Sequence, residues 1–314
     1  MEFIHLAGKP PIDTQSQVLL IGKFDGVHKG HIQLLQTARS YLEAGDILSV
    51  MSFSEHPLWV LRQNPEYKHS LTPVQEKIKI LSDFGVKRFY QIAFTQEYAQ
   101  VLADDFVLEH LLSLHIKRIV VGEGFRFGHK GQGDIQKLIL LCSQIGVQVT
   151  VVPHINANGE KISSTTIRNY VLEGKVEAAQ ALLGRPYRIT GHVIHGDALG
   201  RQLGFPTANL ETVDGYILPK PGIYAGIAEI HSDLSGNEFW NCLISAGYRS
   251  TVGGTEYCME AHLLDYSGNL YDKTLSLSFL SYFRDEIEFN NLDALVDQMN
   301  IDKDNATAFF GTKR

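Results

Sequence analysis

The chain has 314 residues, 44% of them hydrophobic and 20% charged, with a formal net charge of -7 and a pI near 6.0. That length predicts two domains of ordinary globular composition, and the acidic balance argues against a nucleic-acid binder, which would normally be basic. The three cysteines (Cys142, Cys242, Cys258) have no C-x-x-C spacing, so neither a disulfide framework nor a zinc site is expected. There is no basic-then-apolar leader, no apolar run of membrane-spanning length and no repeat or low-complexity tract, which predicts a cytoplasmic protein without a membrane partner.

Residues 1–17 read as a lead-in strand and loop, with Lys9-Pro-Pro-Ile-Asp13 as turn material. Val18-Leu-Leu-Ile21 is an unbroken apolar run, the pattern of a strand buried on both faces. Gly22, Asp25, Gly26 and Gly30 then make a tight loop, and Ile32, Leu34, Leu35, Ala38, Tyr41 and Leu42 have helical spacing from about His31. A strand, a glycine loop and a helix start bring free backbone N–H groups and the helix dipole to one point, which suits an anion. His28 and His31 are three apart and share a face of the first turn. A single histidine there would ordinarily be a surface residue; the pair among glycines suits a phosphate that gains charge during a reaction.

Gly45 is a candidate C-cap, and Ile47–Phe53 predicts a second strand leading into Ser54-Glu-His-Pro57. Residues 57–72 read as a long polar loop of the functional or mobile kind. Thr72 and Pro73 fit the N-cap and N1 of a helix ending near Gly85. A third strand, Arg88–Phe94, is followed by a helix carrying Phe106, Val107, Leu111 and Leu112, then a fourth strand, Ile119–Gly122. The alternation predicts an α/β doubly wound parallel sheet, with ligands at the carboxyl ends of its strands.

The loop Gly122–Asp134 is glycine-rich, yet the chain contains no Walker A motif and this loop no G-x-G-x-x-G. A fifth strand, Val147–Pro153, leads to Lys161-Ile-Ser-Ser-Thr-Thr-Ile-Arg168. There Ser163, Ser164 and Thr165 at a helix start, with Arg168 one turn in, read as a phosphate cradle; an N-cap alone would need one hydroxyl.

At Gly184–Tyr187 the pattern changes to short strands: Tyr187–His195, Gly222–Ile230, Phe239–Ser245, Tyr257–Tyr266 and Leu270–Leu280. Ser267-Gly-Asn269 predicts that the last two form a hairpin, and the series predicts a small antiparallel β-barrel capped by a helix at about 292–299. Domains of 1–183 and 184–314 are expected. In His195–Leu210, Gly196, Gly200 and Gly204 leave room for a nucleotide beside the charge of Arg201. Thr207 and Asn209, two apart on an extended segment, offer the oxygen ligands that Mg²⁺ prefers.

G-x-F-D-G-V-H-x-G-H, the Gly122–Asp134 loop and I-S-S-T-x-I-R resemble the flavin adenylyltransferase branch of the nucleotidyltransferase superfamily. G-R-x-L-G-F-P-T-A-N-L is similar to the defining motif of riboflavin kinase. In that order they resemble the bacterial bifunctional riboflavin kinase/FAD synthetase family over essentially the whole chain. The resemblance implies that Gly22, Phe24, Asp25, Gly26, Gly30 and the two histidines handle ATP phosphates. It implies that Phe125, Arg126, Phe127 and Gly128 hold flavin and adenine, and that Arg284 and Glu286 lie on the flavin side of the kinase. Glu260, in Met259–Asp265, takes by resemblance the role of general base, sharing a strand face with His262 and Leu264.

The implied partners are riboflavin, FMN, FAD and ATP with Mg²⁺, and flavoproteins as recipients of the product. The chain departs from the family pattern at Lys23, Gly124, Ser250 and Val252. Two other readings stay open here: activity in one domain only, and a flavin-binding module without catalysis.

Overall fold

A computed structural model of the chain describes residues 1–157, 159–196, 199–211, 215–232, 236–251 and 254–311, without the side chains of 160, 199, 249–251, 254 and 255. Two compact units divide it, Met1–Ser164 and Thr165–Arg314.

The first unit runs β1 (Glu2–Leu6), β2 (Gln17–Ile21), α1 (Lys29–Arg39), β3 (Ile47–Phe53), α2 (Pro57–Arg62), α3 (Val74–Asp83), β4 (Arg88–Ile92), α4 (Ala103–Asp105), β5 (Ile116–Gly122), α5 (Ile135–Gln144) and β6 (Gln148–Val152), then the short pair β7 (Asn156–Ala157) and β8 (Glu160–Lys161). Six strands form one parallel sheet in the order β1-β4-β3-β2-β5-β6. The chain leaves β2 in one direction through β3 and β4 and fills the other side with β5 and β6, so the doubly wound reading holds. Every residue of β2 is buried. Leu19 and Ile21 join one apolar layer and Val18 and Leu20 the opposite one, each buried side chain contributing about 1.5–3 kcal/mol. Buried Gln17 is paid off by a 2.7 Å bond from its amide to the Leu114 carbonyl and by Tyr90.

Several local expectations are corrected. Helix α1 starts at Lys29 with His28 as N-cap and closes at Ser40, so Gly45 (φ +91) belongs to the following turn. Residues 57–72 are not one open loop: His56 caps α2, accepting from Leu58 N–H at 3.1 Å, and Pro65–Tyr67 is a 3₁₀ turn. Thr72 does not cap α3, which starts at Val74 behind Pro73. The helix expected around Phe106–Leu112 is a π-helix, Phe106–Leu111, continuing from α4.

The second unit comprises α6 (Ser164–Leu172, whose first residue closes the first unit), α7 (Val176–Leu183), β9 (Tyr187–Ile194), α8 (Leu199–Gln202), β10 (Ala208–Leu210), β11 (Gly222–Ile230), β12 (Glu238–Thr251), β13 (Gly254–Leu263), β14 (Thr274–Arg284) and α9 (Leu292–Gly311). Its strands close a barrel in the order β10-β13-β12-β11-β14-β9, antiparallel at every seam. The hairpin expected at Ser267–Asn269 does not form. β13 pairs with β12 and β10, while β14 pairs with β11 and β9. The segment between them turns twice, with Asp265 (φ +58) and Asp272 (φ +64) in the left-handed region, and carries the chain across the barrel. β12 and β13 pair along their length, in register up to Thr251 opposite Gly254. Of the two family departures there, Ser250 is described by its backbone alone and Val252 lies outside the described residues. Helix α9 runs a dozen residues beyond the expected 299 to Gly311. No helix among the described residues is long and apolar enough to cross a membrane.

Candidate active sites

In the first unit, the carboxyl ends of β2, β3 and β4 and the loop after β5 enclose a cavity of about 480 Å³. Ile21, Gly22 and Lys23 form one wall, Met51–Phe53 and Ile92 the floor, and Gly124–Gly128 the far side, with Phe94, Tyr98 and Phe106 behind. This is the switch-point crevice that such a sheet provides. Phe125 and Phe127 stack at 5.7 Å, a plate suited to an aromatic ring system.

The glycines explain how the wall is folded. Phe127 and Gly133 exchange backbone hydrogen bonds of 3.0 and 2.9 Å. Gly128 has φ +71, and a Cβ there would lie 2.6 Å from the backbone nitrogen of Ala103. We expect Gly128→Ala to cost about 2–4 kcal/mol, the sum of left-handed strain and overpacking against backbone, read by denaturant unfolding. A loss under 0.5 kcal/mol would show that the loop re-forms without this contact.

The loop after β2 holds two non-glycine residues at positive φ, Phe24 (+50) and β-branched Val27 (+39), both fully buried. Such backbone persists only where packing over-determines it. The strain places His28 at the helix N-terminus, its ring stacked on His31 with centroids 3.8 Å apart, and Phe24 lies 4.9 Å from His31. A Cβ at Gly30 would sit 3.1 Å from the His28 imidazole, so a larger residue there would have to shift that ring.

Asp25 is placed differently from a phosphate ligand. Its carboxylate accepts from the backbone of Leu71 (2.8 Å) and Thr72 (3.3 Å), tying the loop to the start of α3. Lys77 donates to the Lys23 carbonyl at 3.0 Å; burial lowers its pKa while nearby Asp25 opposes that shift. Ser164 donates to the Asp25 carbonyl at 2.8 Å, which brings its hydroxyl to the glycine loop. Thr165, exposed, and Arg168, buried, follow on α6 in the second unit.

Inside the second unit, Phe205, Thr207, Glu260, His262, Arg284 and Glu286 line a cavity of about 220 Å³, with Leu295, Met299 and Asp302 of α9 on one side. Asn209 and Glu260 are opposed in the β10–β13 ladder, and the Thr207 hydroxyl donates to Glu260 at 2.9 Å. Glu260 and His262 face the same cavity, as the strand alternation predicted. Gly196 and Gly200 give way to these residues: a Cβ would lie 2.6 Å from the Asn209 amide and 2.4 Å from the Phe205 carbonyl respectively. Arg201 lies over the Tyr271 ring at 5.9 Å. Glu286 sits against Gly247, where any Cβ would overlap its carboxylate, and burial raises its pKa.

Arg284 grips Asp302 through two nitrogens, Nε at 2.9 Å and Nη2 at 2.5 Å. Asp302 was missed because α9 was expected to stop at 299, although Leu295, Met299, Asp302 and Ala306 continue one helical stripe. Tyr98, whose hydroxyl meets His110 at 3.1 Å, was missed because nothing in its local spacing marks a cavity wall.

A model described as FAD synthetase matches residues 11–166, and one described as riboflavin kinase matches residues 183–310. A bifunctional riboflavin kinase/FMN adenylyltransferase from Bacillus subtilis is 33% identical, covering 100% of both chains. The chain belongs to the bifunctional riboflavin kinase/FMN adenylyltransferase family. An FAD synthetase from Listeria monocytogenes is 41% identical over 71% of this chain and 86% of its own. A crystal structure described as a macrolide-efflux protein from Streptococcus pneumoniae is 30% identical and superposes with a TM-score of 0.88, covering 97% of this chain and 98% of that one. The bifunctional family is therefore matched end to end, and each of its two models falls on one of the cavities described above.

Proposed function

We propose that the barrel transfers the γ-phosphate of ATP to the ribityl hydroxyl of riboflavin, and that the α/β unit joins the resulting FMN to the AMP moiety of a second ATP, giving FAD and pyrophosphate. The observation that carries this reading is the pair of separate cavities, each lined by its own family motif. In the barrel, Glu260 is the general base that takes the hydroxyl proton as the oxygen attacks phosphorus. Thr207 and Asn209 would hold Mg²⁺: their hydroxyl and amide oxygens, beside a carboxylate, are the hard donor set this ion takes. Bound there, the ion would neutralise charge on the ATP phosphates. In the α/β unit an FMN phosphate oxygen attacks the α-phosphorus, the bond to the β-phosphate breaks, and pyrophosphate leaves. His28 and His31 stabilise the charge that builds on the α-phosphate. Ser163, Ser164, Thr165 and Arg168 are assigned to the remaining phosphates.

Incubation of the chain with riboflavin and MgATP, followed by separation of the flavins, tests the reading. FMN should appear first and FAD after it, and chelation of Mg²⁺ should stop FMN formation. Riboflavin left unchanged, or FMN that never proceeds to FAD, would remove one or both activities. Free thiols at Cys142, Cys242 and Cys258 fit a reducing compartment and support a cytoplasmic placement.

For the working boundary we propose a kinase region from 184 onward that relies on the two helices before it. Ala179, Leu182 and Leu183 of α7 are buried, Glu177 accepts from Ser281 at 2.6 Å, and the Lys220 amide donates to Val171 of α6. A 165–314 fragment should therefore retain kinase activity and melt about 5 °C or more above a 184–314 fragment, since burial of that apolar face is worth several kcal/mol. Equal melting temperatures would show that the helices add nothing to the barrel.

A further inference from the structure

We infer that Asp302, on the C-terminal helix α9, is a positioning residue that aims the Arg284 guanidinium into the barrel cavity to meet riboflavin, an inference that rests on the kinase reading above. Arg284 is the last residue of β14, and its backbone is fixed by pairing with Ile223 of β11. The long side chain would spread over many rotamers if nothing held its end. Asp302 holds it. Nε donates to Oδ1 at 2.9 Å and Nη2 to Oδ2 at 2.5 Å, a side-on fork that fixes the plane of the guanidinium as well as its place. Nη1 donates to the Asp285 carbonyl at 2.9 Å. A guanidinium carries five N–H groups. Among the described residues these bonds use three, which leaves one N–H on each terminal nitrogen of a side chain that lines the cavity with Glu260 and Glu286.

Asp302 is itself held. It is 5% exposed, and Gln298, one turn earlier on α9, donates to its Oδ1 at 2.9 Å. Leu295, Met299 and Asp302 lie on one stripe of the helix and line the same cavity. Docking α9 does not require a carboxylate there: an apolar side chain on that stripe would bury as well, without the desolvation of two charges. What the carboxylate adds is orientation. The fork admits one arrangement of the guanidinium, so its remaining donors meet an acceptor oxygen of the flavin without first losing rotamer freedom.

The test is a double-mutant cycle on the full chain, with Arg284→Lys, Asp302→Asn and the pair, read as KM for riboflavin and kcat in FMN formation. A lysine keeps the charge and cannot form the fork. Each single change should raise the riboflavin KM roughly 10–100-fold and leave kcat within about threefold, as binding lost equally from ground and transition states does. The pair should rise no further than Arg284→Lys alone, because Asp302 acts only through the arginine. A helix-docking role would lower the melting temperature without that saturation. Gln298→Met leaves both charges paired and should raise KM about 2–5-fold; it replaces Asp302→Asn in the cycle if that variant does not fold. The inference is overturned when a folded Asp302→Asn keeps its riboflavin KM within about twofold, when kcat falls and KM does not, or when the two single effects multiply in the pair. An unmodified chain that makes no FMN removes the kinase reading instead. Quenching of riboflavin fluorescence then replaces KM in the same cycle, and binding that Arg284→Lys leaves unchanged overturns the alignment as well.

Discussion

A chain with both His28→Ala and His31→Ala should lose FAD formation by at least about 10³-fold while still accumulating FMN. Each donor aimed at developing charge on a phosphate is worth about 10²–10³-fold, and here two act on one group. The two rings are stacked with centroids 3.8 Å apart, so the double variant removes both donors from one place. Both belong to the first unit, so the barrel chemistry has no reason to change. Riboflavin consumption and the FMN and FAD yields, followed in one time course, separate the two effects. Should FMN synthesis also collapse in a double variant that melts normally, the assignment of one activity to each unit fails.

The second large effect is expected at Glu260. Glu260→Gln keeps the size of the side chain and leaves an oxygen to accept from Thr207, as the carboxylate does at 2.9 Å. It removes the proton acceptor, so riboflavin phosphorylation should fall about 10²–10⁴-fold. MgATP affinity should hold, because Thr207 and Asn209 carry the metal assignment. FAD made from supplied FMN should be untouched. Near-normal turnover would exclude Glu260 as the base. Normal turnover with weakened Mg²⁺ affinity would make it a ligand, which its place opposite Asn209 in the ladder makes a specific alternative.

What could be read in advance follows the range of the forces involved. The strand Val18–Ile21 was legible because burial on both faces leaves an uninterrupted apolar run. His28, Thr207 and Glu260 were legible as residue types on named elements. Their partners were not, because the contacts that matter span long stretches of chain. Thr207 meets Glu260 across 53 residues, Lys23 meets His56 across 33, and Asp25 holds Leu71 across 46. The hairpin expected at Ser267–Asn269 failed for the same reason. Its turn residues are real, but β14 gains more by closing the ring between β9 and β11 than by pairing with its neighbour in sequence. Helix α2 was hidden because its apolar run, Pro57–Arg62, is only six residues long, and because its cap, His56, is not among the usual capping residues.

The edge strand β1 has a consequence for how the chain is made. Glu2–Leu6 is synthesised well before its parallel partner, Arg88–Ile92, and Glu2 also pairs with Arg88 by charge at 2.7 Å. From residue 2 to residue 88 the ribosome must add 86 residues, which takes roughly 4–17 s at about 5–20 residues per second. During that interval the nascent strand offers its open backbone and Phe3, still 43% exposed in the finished fold, to whatever emerges beside it. A chaperone that engages short apolar segments near the exit tunnel would find a substrate there, and a charge placed at Phe3 should weaken that capture at little cost to the finished fold, where the side chain is 43% exposed.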